Sequence, residues 1–400
     1  MLDRFKLKLN LIACPLTCMN NNIISDGEDS RRGFLKKTST VVAGAAVMPS
    51  LSCSTLIAQP VARGGVFKLG DYKLESGVVL SDALLAYETH GTLNTDRSNV
   101  ILYPTWYTGR HMDNRAAIGE GRAMDPSNYF IIVPDMFGNG LSSSPTNTKP
   151  PHDRARFPLT TPYDNVRAQK RLCEEFFGIK KIQSVVGFSM AAQQSFHWAA
   201  AYPEMVESIV PVCGTAKTTP HDWLHLEGMK RALQADQNWA GGDYTEPPEM
   251  GLRAFHTVSS GWILSQTYFR NGKYRNFLGT KAATIADFVD NVAKLFSYSD
   301  ANNLLAMLVT WQSADVSNHP KFGGDLAKAL GSIKCPALVM PCDNDLYFPP
   351  EDNVIEVSLM PNAELRVIKS DSGHLAGLPG FDAEADAFVD QGINDVLNRI

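Results

Sequence analysis

The sequence predicts an α/β fold, in which helices cover both faces of a mostly parallel sheet. Short, unbroken apolar runs are typical of strands buried on both faces, and helix-like stretches such as residues 163–177 separate them. Ahead of these runs, residues 66–74 and 84–89 alternate like an antiparallel pair, with Gly77 in the turn between them. Two such unbroken apolar runs occupy residues 99–103 and 129–133, and further strands are predicted from Ile182 and over residues 209–213, 337–340 and 365–368.

A long helical segment interrupts this pattern. Residues 217–327 are helical by composition and contain no convincing central strand. Because the strand pattern resumes at Cys335, we predict a helical cap inserted into a single core made of residues 59–216 and 328–400. A second independent domain is the less favoured alternative. The segment carries several of the tryptophans of the chain, namely Trp223, Trp239, Trp262 and Trp311.

The composition indicates what kind of partner the chain binds. It has 400 residues, of which 44% are hydrophobic, so it is long enough for one large core. The net charge of −5 offers no basic stripe, which excludes a typical nucleic-acid-binding protein. We therefore expect a small-molecule substrate, with no cofactor and no metal, and the sequence leaves a homodimer open.

The amino-terminal 58 residues resemble a leader for export. The pair Arg31 and Arg32 precedes a short, mildly apolar segment, which is the layout of a twin-arginine signal. That segment is too short for a stable membrane span. We predict cleavage after Ala58, with a lipid anchor on Cys53 as an alternative, and a periplasmic or secreted mature protein. The competing interpretation is a basic patch beside a buried helix.

The stretch around Ser189 predicts a nucleophile. An apolar strand runs into Gly187, Ser189 follows, and a run of good helix formers continues from Met190. A serine on so tight a strand-to-helix turn needs small residues two positions before and two after it, and Gly187 and Ala191 meet that need. This pattern predicts the nucleophile elbow of an α/β-hydrolase fold, which lifts the serine hydroxyl above the sheet.

A serine nucleophile needs a histidine base and a carboxylate that orients the base. In α/β-hydrolases the chain order is serine, acid, histidine. His374 follows the last predicted strand, and an acidic loop follows the strand before it. We therefore predict Ser189, Asp345 and His374 as the catalytic residues, with Asp343 as the alternative acid.

Acyl transfer also requires two N–H donors for the developing oxyanion. Met190, directly after the serine, supplies one of them. The loop after the third strand should supply the other, and Tyr107 in residues 104–109 is the predicted donor. Trp106, next to it, is predicted to contact the substrate.

One pattern suggests a metal site. His221 and His225 have the spacing of a two-histidine zinc motif, with an aspartate in the place of the usual glutamate. No third ligand is evident in the sequence, so we favour a cap helix without metal.

These residues together resemble the homoserine O-acetyltransferase branch of the α/β-hydrolases. The similarity runs from about Val66 to the carboxyl end, and it favours Asp345 over Asp343 as the acid. It rests on LAYETHGTLN with Asn94, DPSNYFIIVPD, NVRAQKRL at residues 165–172, the cap sequence around Trp239, and NDLYFPP around Asp345.

Two departures from that family bear on the substrate. The resemblance implies an aspartate after the catalytic histidine, to hold the substrate amine, where this chain has Leu375. It also implies a cap arginine for the substrate carboxylate, where this chain has Lys230, with Arg231 adjacent. Leu375 cannot pair with an ammonium group, and a buried unpaired charge costs several kcal/mol.

The leading hypothesis is therefore an exported serine esterase for short acyl esters, acting through an acyl-serine. Acetyl-CoA is a cytosolic donor, so an exported protein would use water as acceptor. The alternative is an O-acyltransferase that moves an acetyl group from acyl-CoA to an alcohol. A binding module with an inactive site is a third reading, which the intact serine, acid and histidine disfavour.

Overall fold

An eight-stranded sheet organises the computed structural model, which describes residues 63–399. Its order is β1-β2-β4-β3-β5-β6-β7-β8; β2 pairs antiparallel with β1 and β4, and all the other pairs are parallel. The predicted α/β fold with a mostly parallel sheet is thus confirmed. The strands are β1 (Arg63–Lys73), β2 (Val79–His90), β3 (Val100–Leu102), β4 (Phe130–Pro134), β5 (Ser184–Phe188), β6 (Ile209–Val212), β7 (Ala337–Val339) and β8 (Ala363–Leu365).

Both faces of the central strands β3 to β7 are buried, which explains their apolar character. Successive side chains of a strand point to opposite faces, so Val185 packs in one apolar cluster and Val186 in the other. Helices cover each cluster. The helices are α1 (Pro162–Arg171), α2 (Met190–Ala201), α3 (Pro220–Gln234), α4 (Glu249–Ile263), α5 (Gln266–Arg270), α6 (Ile285–Leu295), α7 (Ala301–Gln312), α8 (Leu326–Gly331), α9 (Pro350–Leu359) and α10 (Ala383–Leu397).

Helix α1 begins where its sequence provides a cap. The Thr161 hydroxyl accepts the Asp164 N–H at 3.1 Å, and Pro162 occupies the first helical position, where no N–H is needed. The helix predicted over residues 163–177 is α-helical only to Arg171, and one π-helical turn, Leu172–Phe176, completes it.

Helices α3 to α8 lie between β6 and β7. The residues just before α3 and just after α7 pair with each other, because the Val316 N–H donates to the Ala216 carbonyl at 3.0 Å and the Thr218 N–H to the Ala314 carbonyl at 2.9 Å. The predicted cap boundary at residue 327 falls inside α8, whose Leu330 is buried in the core.

The last strand differs from its prediction. Residues 365–368 were expected to form it, but β8 ends at Leu365, and Ile368 makes only an isolated bridge to Cys342. The side chains of β8 are only partly buried, because β8 is the edge strand. An edge strand of three residues leaves little apolar pattern in the sequence, which explains the shifted prediction.

The predicted export signal, the cleavage after Ala58 and the alternative at Cys53 lie outside the described residues. Between residues 63 and 399 no helix has both the length and the apolar character needed to cross a bilayer. All the cysteines in this range are free thiols, namely Cys173, Cys213, Cys335 and Cys342.

A buried carboxyl group supports the start of the helical segment. The Glu356 side chain on α9 accepts the Ala216 N–H at 2.7 Å and the Asn353 side-chain amide at 2.9 Å. Glu356 is only 4% exposed, and this burial raises its pKa from 4.5 to about 8. The folded state therefore binds this proton more tightly than the unfolded state.

This proton makes stability depend on pH. The pKa is higher in the folded state, so the free energy of unfolding should fall as pH rises from about 4.5 to 8, by on the order of 4 kcal/mol. We expect Glu356→Gln to lack this slope. Urea unfolding of both proteins across this pH range measures it, and parallel curves for the two proteins would contradict the assignment.

Candidate active site

Ser189 stands on the sharp turn between β5 and α2. Its backbone has φ 59° and ψ −125°, a conformation that non-glycine residues rarely adopt, and its side chain is buried. The Ser189 N–H donates to the Val212 carbonyl on the neighbouring strand at 2.9 Å. A Cβ atom on Gly187 would lie 2.2 Å from the Ala191 carbonyl oxygen. The turn is therefore this tight only because residue 187 is a glycine.

Ser189, His374 and Asp345 form a continuous hydrogen-bonded chain. The Ser189 Oγ lies 2.8 Å from His374 Nε2, and His374 Nδ1 lies 2.8 Å from Asp345 Oδ2. The other Asp345 oxygen accepts the N–H groups of Tyr347 at 2.8 Å and Phe348 at 3.1 Å. Since a carboxylate only accepts, Nδ1 carries the hydrogen and Nε2 is left to accept the serine proton.

Asp343, the alternative acid, lies elsewhere in the same loop. Its side chain is exposed and faces Lys369 at 3.3 Å, and it accepts the Ser370 N–H at 3.3 Å. His374 bonds to Asp345 instead. The structure thus separates two carboxylates that stand two positions apart in the sequence.

The loop that carries His374 is held by the helical segment above it. Gly373 has φ 64°, and a Cβ atom there would lie 2.7 Å from the Ser265 nitrogen. The Ser265 hydroxyl also donates to the Asp371 carbonyl, and the Asp371 carboxylate pairs with Lys273 at 3.2 Å. The position of the histidine therefore depends on the helices as well as on the sheet.

Aromatic rings surround the His374 imidazole. The rings of Phe188, Tyr347 and Phe348 lie 4.8, 5.0 and 5.4 Å from it, between centroids. Trp311 of α7 stacks on Phe348 at 5.4 Å. The sequence analysis missed these three neighbours of His374, although Phe188 is adjacent to Ser189 and the other two follow Asp345 closely.

The two predicted oxyanion donors share one apolar cluster between the helical segment and the sheet, where Met190 is buried and Tyr107 packs against it. Met190 is the first residue of α2, and the first N–H groups of a helix have no acceptor within the helix. The Tyr107 hydroxyl donates to the Leu304 carbonyl at 3.1 Å, and its ring lies 5.7 Å from Trp311.

The three predicted substrate-binding residues have different surroundings. Lys230 forms an ion pair with Glu227 of the same helix. It also lines a cavity of about 190 Å³, whose walls include neither Ser189 nor His374.

Leu375 and Trp106 pack in apolar clusters. Leu375 is 6% exposed and lies among aromatic and aliphatic side chains of α5, α6 and the turn between them. Trp106 meets Phe188 edge-on at 5.4 Å, within the cluster that lies under α10 rather than under the cap helices.

The two histidines with zinc-motif spacing pack against an indole. The rings of His225 and His221 lie 4.2 and 5.0 Å from Trp262. Burial lowers the pKa of His225 to about 4, so its imidazole is neutral at pH 7. In the part of the chain that the structure describes, no three metal-binding side chains cluster.

Comparison with known proteins places this chain in a family. Residues 99–381 match the family model of the alpha/beta hydrolase fold. A probable esterase of Corynebacterium glutamicum is 42% identical over 312 residues, which span 77% of this chain and 88% of that protein. An ethyl acetate hydrolase of Pseudomonas veronii is 40% identical over 339 residues, spanning 83% of this chain and 95% of the relative.

More distant relatives belong to the branch that the sequence resembles. A homoserine O-acetyltransferase of Trichormus variabilis is 31% identical over 319 residues, with 77% of this chain and 87% of that protein covered. Among solved structures, an acetylester hydrolase from Corynebacterium glutamicum matches with a TM-score of 0.80 and 38% identity, over 84% of this chain and 96% of that one. The chain therefore belongs to the α/β-hydrolase family, in which its relatives include esterases and homoserine O-acetyltransferases.

Proposed function

We propose that the protein is an exported serine esterase that hydrolyses short acyl esters. The observation that carries the proposal is the hydrogen-bonded chain from Ser189 through His374 to Asp345, with both contacts of the imidazole at 2.8 Å. Such an arrangement activates a hydroxyl at neutral pH.

The reaction follows from this geometry. The Ser189 oxygen adds to the ester carbonyl carbon while its proton passes to His374 Nε2. The histidine then gives this proton to the alcohol oxygen as the ester bond breaks, which leaves an acyl-serine. A water molecule repeats the sequence: it loses a proton to His374, its oxygen adds to the acyl carbon, and the carboxylic acid leaves as Ser189 regains the proton. Asp345 stabilises the imidazolium during both formation and hydrolysis of the acyl-serine. The Met190 and Tyr107 N–H groups donate hydrogen bonds to the oxyanion.

Water is the proposed acceptor because, among the residues that the structure describes, neither Leu375 nor Lys230 is free to hold an amino acid. Leu375 lies in an apolar cluster, and Lys230 is paired with Glu227. An ammonium group placed beside Leu375 would be buried without a partner, at a cost of several kcal/mol. The probable esterase and the ethyl acetate hydrolase are 42% and 40% identical to this chain, whereas the acetyltransferase of Trichormus variabilis is 31% identical.

A short acyl group is proposed because aromatic side chains crowd the space around His374. Both Ser189 and His374 are 3% exposed, beneath Tyr347, Phe348 and Trp311. Filled cores tolerate added carbon atoms poorly, so each further methylene in the acyl chain should lower the rate. One relative is named ethyl acetate hydrolase, and acetate is a short acyl group.

Hydrolysis and covalent labelling test the proposal together. We expect the purified protein to hydrolyse p-nitrophenyl acetate faster than the butyrate, and a fluorophosphonate to stop both reactions by modifying Ser189, as located by peptide mass spectrometry. Acetyl-CoA with homoserine should yield no O-acetylhomoserine. Failure to hydrolyse any ester, or a label on a different residue, would overturn the assignment.

Export is proposed on the strength of Arg31 and Arg32 ahead of the apolar segment. Fractionation of cells that make the full chain tests it: the mature protein should be found outside the cytoplasm. Replacing both arginines by lysine should retain the protein in the cytoplasm, and unchanged export of that variant would contradict the proposal.

A further inference from the structure

A single side-chain amide joins the two backbone segments that carry the proposed oxyanion donors. Gln194, on the second turn of α2, is completely buried. Its Nε2 donates to the carbonyl of Thr105 at 3.0 Å and to the carbonyl of Met190 at 3.2 Å. Thr105 begins the loop that contains Tyr107, and Met190 directly follows Ser189.

Two further buried side chains fix the orientation of that amide. The Trp198 indole N–H donates to Gln169 Oε1 at 2.8 Å, and Gln169 Nε2 donates to Gln194 Oε1 at 2.6 Å. An indole can only donate, so it dictates which end of Gln169 faces it, and Gln169 in turn dictates the orientation of Gln194. The NH₂ group of Gln194 must then face the two backbone carbonyls.

Other hydrogen bonds hold Thr105 to a different part of the fold. Its N–H donates to the Pro134 carbonyl at 3.2 Å, and its hydroxyl accepts the Met136 N–H at 3.0 Å. Both of these bonds lead to the end of β4. Among the hydrogen bonds of Thr105 to other described residues, the bond from Gln194 leads to the serine turn.

We propose that Gln194, oriented by Gln169 and Trp198, is a positioning residue that sets the distance between the two oxyanion donors. The inference rests on the proposed function, because it concerns the transition state of the same reaction. Donors to an oxyanion act only within about 2.7–3.1 Å of it, so a shift of one segment relative to the other weakens one of the two bonds. The ester ground state, with a less charged carbonyl oxygen, loses much less.

Gln194→Met removes the amide and keeps the side-chain length. We expect kcat on p-nitrophenyl acetate to fall about 10- to 100-fold with KM changed less than about threefold. A trifluoromethyl ketone, whose adduct with the serine carries the same oxyanion, should bind more weakly by a similar factor.

Gln193→Met is the matched control: Gln193 is equally buried on the same helix, but its side-chain amide donates to the Thr218 hydroxyl at 3.1 Å. This control should keep kcat within about threefold of the wild type.

A second variant keeps the test decisive if Gln194→Met does not fold. In Gln169→Glu the new carboxyl can donate to Gln194 only while it is protonated. The ratio of variant to wild-type kcat should therefore fall as pH rises while the circular dichroism spectrum of the variant stays native, whereas unfolding caused by the buried carboxylate would change both together.

The outcomes separate the inference from the proposed function. Equal kcat values for wild type, Gln194→Met and Gln193→Met, or a pH-independent ratio for Gln169→Glu, would overturn the role of Gln194. Absence of ester hydrolysis by the wild type would instead overturn the proposed function.

Discussion

Asp345→Asn is expected to lower kcat for ester hydrolysis by about 10⁴-fold. An asparagine at this position presents its NH₂ group to His374 Nδ1, or it presents its neutral amide oxygen, which does not stabilise the positive charge of the imidazolium. The histidine then favours the tautomer with its hydrogen on Nε2, which cannot accept the Ser189 proton. Steady-state kinetics on p-nitrophenyl acetate measure the loss, and KM should change little.

Asp343→Asn is the matched control for this experiment. It makes the same substitution in the same loop, but at an exposed carboxylate that faces Lys369. A surface ion pair contributes about 1 kcal/mol or less, so both stability and kcat should stay close to wild type. If Asp343→Asn lost activity and Asp345→Asn kept it, the acid would have been assigned to the wrong residue.

Gly187→Ala is expected to disrupt the serine turn itself. The added methyl carbon would lie 2.2 Å from the Ala191 carbonyl oxygen and 2.6 Å from the Ala192 nitrogen. These are backbone atoms of the first turn of α2, so relief requires the helix to move away from β5 and to take Ser189 with it. We expect a loss on the order of 3–5 kcal/mol in the free energy of unfolding, and loss of ester hydrolysis in whatever protein remains folded.

Gly228→Ala separates this clash from the general effect of replacing a glycine. Gly228 lies within α3, and a Cβ atom there meets nothing within 4 Å. Alanine is the better helix former, so this variant should be more stable than wild type by up to about 1 kcal/mol. Urea unfolding and the soluble yield measure both variants. Equal stability of Gly187→Ala and wild type would show that the turn can open without cost.

Local features of the sequence predicted much of the core. The buried runs around Val100, Phe130, Val185 and Ile209 became strands because burial on both faces leaves unbroken apolar stretches. The pairing of Ser189 with Gly187 predicted the serine turn, because a close backbone approach leaves room only for glycine there. Where a strand is short and at the edge, as in β8, the pattern was too weak to give its bounds.

The surroundings of the predicted substrate-binding residues could not be predicted from the sequence. Lys230 matches a family position, but its charge is already engaged by Glu227 on the next turn back. Trp106 neighbours Tyr107 in sequence, but its ring turns into the core against Phe188. Both outcomes depend on side-chain direction and on partners from other elements, which spacing along the chain does not specify.

The sequence by itself determined the α/β fold, the serine turn, and the order in which Ser189, Asp345 and His374 follow one another. These depend on local backbone geometry and on the burial of individual strands, and both leave patterns over a few residues. Only the tertiary structure shows that His374 bonds to Asp345 and not to Asp343, that aromatic side chains surround the His374 imidazole, and that Gln194 connects Thr105 to the serine turn. Those contacts join residues far apart along the chain, and the packing of the whole domain sets their distances.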